Sequence, residues 1–235
     1  MRTSHRLLLS ALFACAALVG PARADTENET FTEVDGYFKL SDRFRLFTSA
    51  SLTKSLNEGA TDSDLGLYLD VLALRPIFGG RLFDADVARN RYVWGRIGFS
   101  FGGAHEGTGL ENGYKERQFV FELYGRYPIS EGFWVESRAR FDERTLSGTR
   151  ANRYRVRLGL DKQYTVLGKD VIAYVRTEFL YDTRFNALNQ QTYQVGADIE
   201  LTERFRIEPY YRFQNDTAVE PAHENRFGLV LKYYR

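Results

Sequence analysis

Apolar and polar residues alternate along this chain in segments of about ten residues, and within each segment the apolar members share one parity. An amphipathic helix would repeat near 3.6, so a period of two predicts strands with one apolar face. Residues 44–53 place Phe44, Leu46, Ala50 and Leu52 together, and 65–74 do the same with Leu65, Leu67, Leu69, Val71 and Ala73. Further segments run over 91–101, 117–127, 133–141, 152–160, 171–181, 193–201, 205–213 and 227–233, and their other faces carry much of the charge. Alternation alone fits either a sandwich with its apolar face inward or a membrane barrel with that face outward.

The connections favour the second. Turns after Leu40, Tyr127 and Leu201 read as short, whereas 57–64, 102–115, 182–191 and 215–224 are longer and polar. That alternation is the turn-and-loop pattern of a transmembrane barrel. Two stretches resist it. Residues 75–90 are long where a short turn is expected, with Pro76, Gly79, Gly80 and Phe83, and read as an enlarged turn or two short extra strands. Residues 31–40 also alternate, with Val34, Phe38 and Leu40 on one parity, and 41–43 would join them to the next strand as a hairpin. Bacterial single-chain barrels have even strand numbers. Either 31–40 stays outside the membrane or a further strand completes the set, and twelve is favoured over ten. The expected fold is all-β, an antiparallel transmembrane barrel.

Met1 to Arg6 is basic, Leu7 to Gly20 apolar, and Ala22-Arg23-Ala24 is a small-x-small cleavage site. Residues 1–24 therefore read as a secretory leader cleaved before Asp25, leaving 25–235 as one barrel domain. A rival reading makes Leu12-Phe13-Ala14-Cys15 a lipoprotein box with Cys15 acylated. No later apolar run approaches the ~20 residues of a membrane helix. Losing Arg2, Arg6 and Arg23 removes three positive charges and takes the formal net charge from +1 to −2, which gives no pull toward nucleic acid. Losing Cys15, the single cysteine, leaves neither a disulfide framework nor a thiolate metal site. Fifteen Tyr and 18 Phe suit aromatic girdles at two interfaces.

The stretch 226–233 runs polar, any, Gly228, any, any, Leu231, any, Tyr233. It resembles the C-terminal signal recognised by the barrel-assembly machinery of Gram-negative outer membranes, although Tyr234 and Arg235 extend beyond the usual aromatic end. The resemblance implies the bacterial outer membrane as location, with outer-membrane lipid and that machinery as partners. Residues 138–144, 153–158, 176–179 and 205–213 resemble an uncharacterised family of bacterial outer-membrane barrels known only as a domain of unknown function. That resemblance covers roughly the C-terminal half and implies a fold and a location, with no activity.

The densest polar feature lies on the face expected to point inward. Glu136, Arg138, Arg140 and Asp142 meet Arg153, Arg155 and Arg157 on the next segment, with Arg144 and Arg150 in or beside their connection. Glu122, Arg126, Arg176, Glu178, Arg206, Glu208 and Arg212 share the inward parity. Side chains across a ladder stand about 5 Å apart, so these arginines repel unless carboxylates or a ligand intervene. One reading is an Arg–Glu network that fills a small barrel. Another is a narrow channel in which Arg138, Arg140, Arg153, Arg155, Arg157, Arg176 and Arg212 guide small anionic solutes past Glu122, Glu136, Asp142, Glu178 and Glu208. Such a lumen is similar to those of oligogalacturonate-type and sialic-acid-type porins. A third reading is a hydrolase acting on lipid or peptide at the rim, using His105 or His223 with Glu106 or Glu224, and with Ser100, Asp216, Thr217 and Glu220 near in sequence. No nucleophile motif accompanies these histidines, and no metal-site spacing or phosphate loop is found, so neither cofactor nor metal is expected.

Overall fold

The period-two segments become eleven strands in a computed structural model that describes residues 26–41, 43–57, 61–71, 93–103, 115–218 and 222–235, together with the backbone of 104–105. The expected leader with Cys15 and the unusual stretch 75–90 lie outside the described residues. The strands are β1 (Thr26–Lys39), β2 (Phe44–Ser55), β3 (Thr61–Val71), β4 (Val93–His105), β5 (Lys115–Ser130) and β6 (Phe133–Leu146). They continue with β7 (Thr149–Val166), β8 (Lys169–Asp182), β9 (Ala187–Glu200), β10 (Phe205–Asp216) and β11 (His223–Tyr234). Each pairs antiparallel with the next, and β1 pairs with β11 to close the barrel.

The strand count corrects the expectation of twelve, and of ten. Residues 31–40 are neither outside the barrel nor accompanied by a twelfth strand among the described residues; most of them belong to β1, paired on both edges. With an odd number of hairpin-linked strands the first and last must point the same way. The seam is accordingly parallel, from Thr26 beside His223 to Tyr37 beside Tyr234. A parallel ladder pairs its amides as fully as an antiparallel one, through slanted bonds, so the backbone is satisfied without an even count.

The expected contrast between short turns and long loops is also reduced. β4 runs on to His105, β9 begins at Ala187 and β10 reaches Asp216, so strands occupy much of the presumed loops. At that same end β6 and β7 are joined by Ser147-Gly148 alone, with φ of 47° and 93°. This is the positive-φ pair that a two-residue hairpin twisted like its strands requires. Leu167-Gly168, at 53° and 75°, repeats the device between β7 and β8 at the other end.

The apolar parity faces outward, as a membrane barrel requires. Leu65 and Leu67 are 62% and 56% exposed, while Gly66, Tyr68 and Asp70 between and beside them are buried. A soluble sandwich would reverse that order. Inside, tyrosine rings lie across the backbone of neighbouring strands where glycine leaves room. Tyr210 faces Gly228 directly and Tyr174 faces Gly196. A Cβ at Gly228 would overlap the Tyr210 ring. The glycine of the assembly-signal pattern thus has a packing reason, separate from any recognition. Gly228→Ala should destabilise the folded barrel by about 1–3 kcal/mol through overpacking. Adding Tyr210→Ala should remove most of that penalty in a double-mutant cycle of urea unfolding; strict additivity would show that the ring and the glycine do not interact.

Candidate functional site

The inward faces of all eleven strands enclose one cavity of about 620 Å³. Its lining reaches from Tyr37, Trp94 and Asp161 near one rim to Asp62, Gly103 and Arg226 near the other. Alternation explains the lining, because each residue that follows an outward Leu, Val or Phe is turned into the lumen. All seven predicted track arginines and all five predicted carboxylates line this cavity, except that Asp142 stands behind the guanidiniums it binds.

The ladder register brings like charges face to face. Arg138 stands opposite Arg157 and Arg140 opposite Arg155. Such pairs are destabilising by themselves, and carboxylates interleave them. Asp142, fully buried, has Arg140 at 2.5 Å, Arg155 at 3.3 Å and Arg153 at 3.5 Å. Glu122 is 1% exposed; its Oε1 lies 3.1 Å from Arg140 and 3.5 Å from Arg138, and its Oε2 lies 3.8 Å from Arg96 and accepts from the Tyr124 hydroxyl. Glu136 holds Arg157 at 2.7 Å and Arg176 at 3.5 Å. Glu178 binds Arg138 and lies 3.8 Å from Arg155, and Glu208 binds Arg176 at 3.2 Å together with Tyr174 and Lys232. Guanidiniums still outnumber carboxylates in this part of the wall, since Asp142 and Glu122 each serve three.

Arg212 differs from the rest of the track. It faces Arg226 on β11 and Gln194 on β9, and among the described residues no carboxylate lies within ion-pair distance of it. Arg226 instead bonds Glu29 at 2.6 Å and Glu224 at 2.9 Å.

Arg45, Arg96, Asp161, Asp198 and Lys232 line the lumen, and Asp70 is buried against two of them. None of these was singled out from the sequence, and they meet Arg126 and Arg206, whose inward parity was legible. Asp70 bridges Arg45 at 2.5 Å and Arg96 at 2.6 Å, Arg126 pairs with Asp161, and Asp198 takes both Arg206 at 2.5 Å and Lys232 at 2.6 Å. Arg144, expected near the connecting loop, points inward to Glu116 and reaches Asp182 at 3.5 Å. Just beyond β8, Arg184 grips Asp182 at 2.7 Å, and this hydrogen bond raises the guanidinium pKa further. Inward parity was the available signal for the strand residues. Near one rim the wall is aromatic: Tyr37 stacks on Tyr234 at 4.7 Å and Trp94 on Tyr124 at 4.3 Å, while the Arg96 guanidinium sits 3.6 Å from the centre of the Phe47 ring.

The two sides of the lumen differ in sign. On β6 to β8 stand the ladder arginines; on β1 to β3 the inward groups are Glu33, Asp35, Asp62 and Asp64 with Ser49, Ser51 and Thr53, and Arg45 is engaged by Asp70. Solute in the cavity therefore meets a cationic wall and an acidic, hydroxyl-bearing wall.

The remaining predicted residues lie elsewhere. Leu231 faces outward, and the outward Tyr233 ring packs 5.1 Å from Phe205 and 6.2 Å from Phe38, forming an aromatic cluster at the end of the seam. His223 stacks on Phe213 at 5.8 Å, and its Nδ1 makes no hydrogen bond among the described residues. Glu224, the neighbour expected to assist it, is engaged by Arg226 and Gln214. His105 pairs through its backbone with Thr61 at the end of β4, and Glu106 and Glu220 lie outside the described residues.

No family model matches the chain, and no curated protein matches it. Among solved structures it is similar to LpxR from Salmonella typhimurium, with a TM-score of 0.51, 9% identity, and 85% of this chain and 86% of that one covered. It also matches the β domain of the Bordetella autotransporter BrkA, with a TM-score of 0.48, 15% identity and coverages of 86% and 87%. At such identities likeness speaks for fold alone, and the fold is that of the outer-membrane β-barrels. The similarity to oligogalacturonate-type and sialic-acid-type porins finds no support in these comparisons.

Proposed function

We propose that this protein is a narrow channel across the bacterial outer membrane, passing small solutes that carry an anionic group. The observation that supports this reading is a lumen cavity whose lining runs from residues near one rim to residues near the other, between an arginine-bearing wall and a carboxylate-bearing one. An anionic group would move along the arginines of β6 to β8, exchanging between guanidiniums that already share carboxylates. Each such step replaces one charge-assisted hydrogen bond by another, so no site holds the solute too tightly to leave. The facing carboxylates and hydroxyls would take the hydrogen-bond donors of the same solute. Polar solutes with both features, such as acidic sugars, fit these walls better than simple hydrophobic anions.

Planar-bilayer recordings of the refolded mature chain across a salt gradient test this. Discrete openings with anion preference are expected. Replacing Arg155 and Arg157 together by glutamate should move the reversal potential toward cation selectivity. Unchanged selectivity would remove the arginine track. Silence from protein shown to be folded by heat-modifiable gel migration would favour a barrel closed by its own Arg–Glu network.

A further inference from the structure

The outer surface of the wall carries a second cavity, whose lining shares only the buried Gln118 with that of the lumen. A groove of about 610 Å³ lies where Phe99 and Phe101 of β4 meet Phe119 of β5, and its upper edge is formed by Arg117, Thr145 and Arg150. Cross-strand register orders these groups. Phe99 faces Phe119, their rings 5.3 Å apart. One step nearer the rim, Phe101 faces Arg117, Arg117 faces Thr145, and Thr145 faces Arg150. At about 4.8 Å per strand the two arginine backbones stand roughly 10 Å apart, close enough for both side chains to reach one phosphate above Thr145.

The same row continues in the other direction to Leu65, so it passes from the lipid-facing apolar band to a basic edge beside the turn 147–148. Phe99 and Phe101 are 55% and 56% exposed. Arg117 and Arg150 are exposed, and among the described residues neither forms an ion pair, in contrast to the interleaved arginines of the lumen. Glu143, also exposed and without an ion pair among the described residues, faces Phe119 and lines the groove. A groove with exposed phenylalanines below, two guanidiniums unpaired among the described residues above and one carboxylate between is complementary to a particular amphiphile. Its phosphate would bridge the guanidiniums, its hydroxyl or amide donors would meet Glu143, and its acyl chains would lie on the rings.

We propose that this groove binds a phosphorylated glycolipid of the bilayer leaflet at that end of the barrel. The proposal rests on the membrane-spanning reading and is independent of whether the lumen conducts. Its test is native mass spectrometry of the mature, folded chain released from detergent micelles doped with a bisphosphorylated, acylated glucosamine disaccharide. One bound lipid per barrel is expected, with retention about tenfold lower after Arg117→Ala and Arg150→Ala are combined. Lys54→Ala, which removes an outward cation at the same rim on β2, should leave retention unchanged. Equal retention of the dephosphorylated lipid, or undiminished retention by the double variant, would overturn the proposal. Equal retention of phosphatidylglycerol would overturn the glycolipid assignment and leave a site for anionic lipid in general. Should the double variant fail to fold, Arg117→Gln and Arg150→Gln taken singly give the same reading.

Discussion

Glu122→Leu should destabilise the folded barrel by about 3–5 kcal/mol, the usual result of removing one partner from a buried charge cluster. The carboxylate is 1% exposed and faces three guanidiniums, those of Arg96, Arg138 and Arg140. Without it, Arg138 keeps Glu178 and Arg140 keeps Asp142, but the cluster holds its full positive charge with one anion fewer. Urea unfolding in phospholipid vesicles, followed by gel migration, measures the loss. Adding Arg140→Met should recover part of it, because the excess charge falls with the lost carboxylate. A loss under about 1 kcal/mol would mean that water in the lumen screens the arginines as effectively as at an exposed surface.

Leu229→Arg tests the outer face instead. Leu229 is 47% exposed and stands mid-strand on β11, between Pro209 on β10 and Thr32 on β1. At the bilayer midplane an outward arginine costs about 2–4 kcal/mol, falling to about 0–1 kcal/mol near the interface. Leu231→Arg, one outward position nearer the strand end, should also impair insertion, and Tyr233→Arg should have the smallest effect. Normal assembly of both leucine variants would rule out a lipid-facing surface there.

The outward parity of most strands was legible in the sequence because every wall residue has either lipid or a polar lumen as its environment. Phe205, Ile207, Tyr211 and Phe213 against Arg206, Glu208 and Arg212 make β10 readable without a structure. β1 was harder. Its outward face carries Thr30, Thr32 and Gly36 while Phe31 and Tyr37 point inward, so apolar character is divided between its faces. The arginine ladder could be read because β6 and β7 are sequential neighbours. The pairs Arg138–Glu178 and Arg126–Asp161 could not, because each skips a strand. In a narrow barrel curvature aims inward side chains toward one another, and a long guanidinium reaches past the adjacent strand. Such pairings depend on barrel radius and tilt, which alternation does not encode. Arg150 differs: it shares the parity of Tyr154, Val156 and Leu158, so its outward place beside Arg117 follows once the alternation is carried past the expected loop.

The parallel seam gives the start of β1 and the end of β11 different addresses. Thr26 sits beside His223 at the rim of the 147–148 turn, whereas Arg235 hydrogen-bonds Tyr37 and Lys39 at the opposite rim. An even-stranded meander would bring both ends to one side of the membrane. Here an epitope joined ahead of Thr26 and one joined after Arg235 would answer to antibodies on opposite faces of the same bilayer.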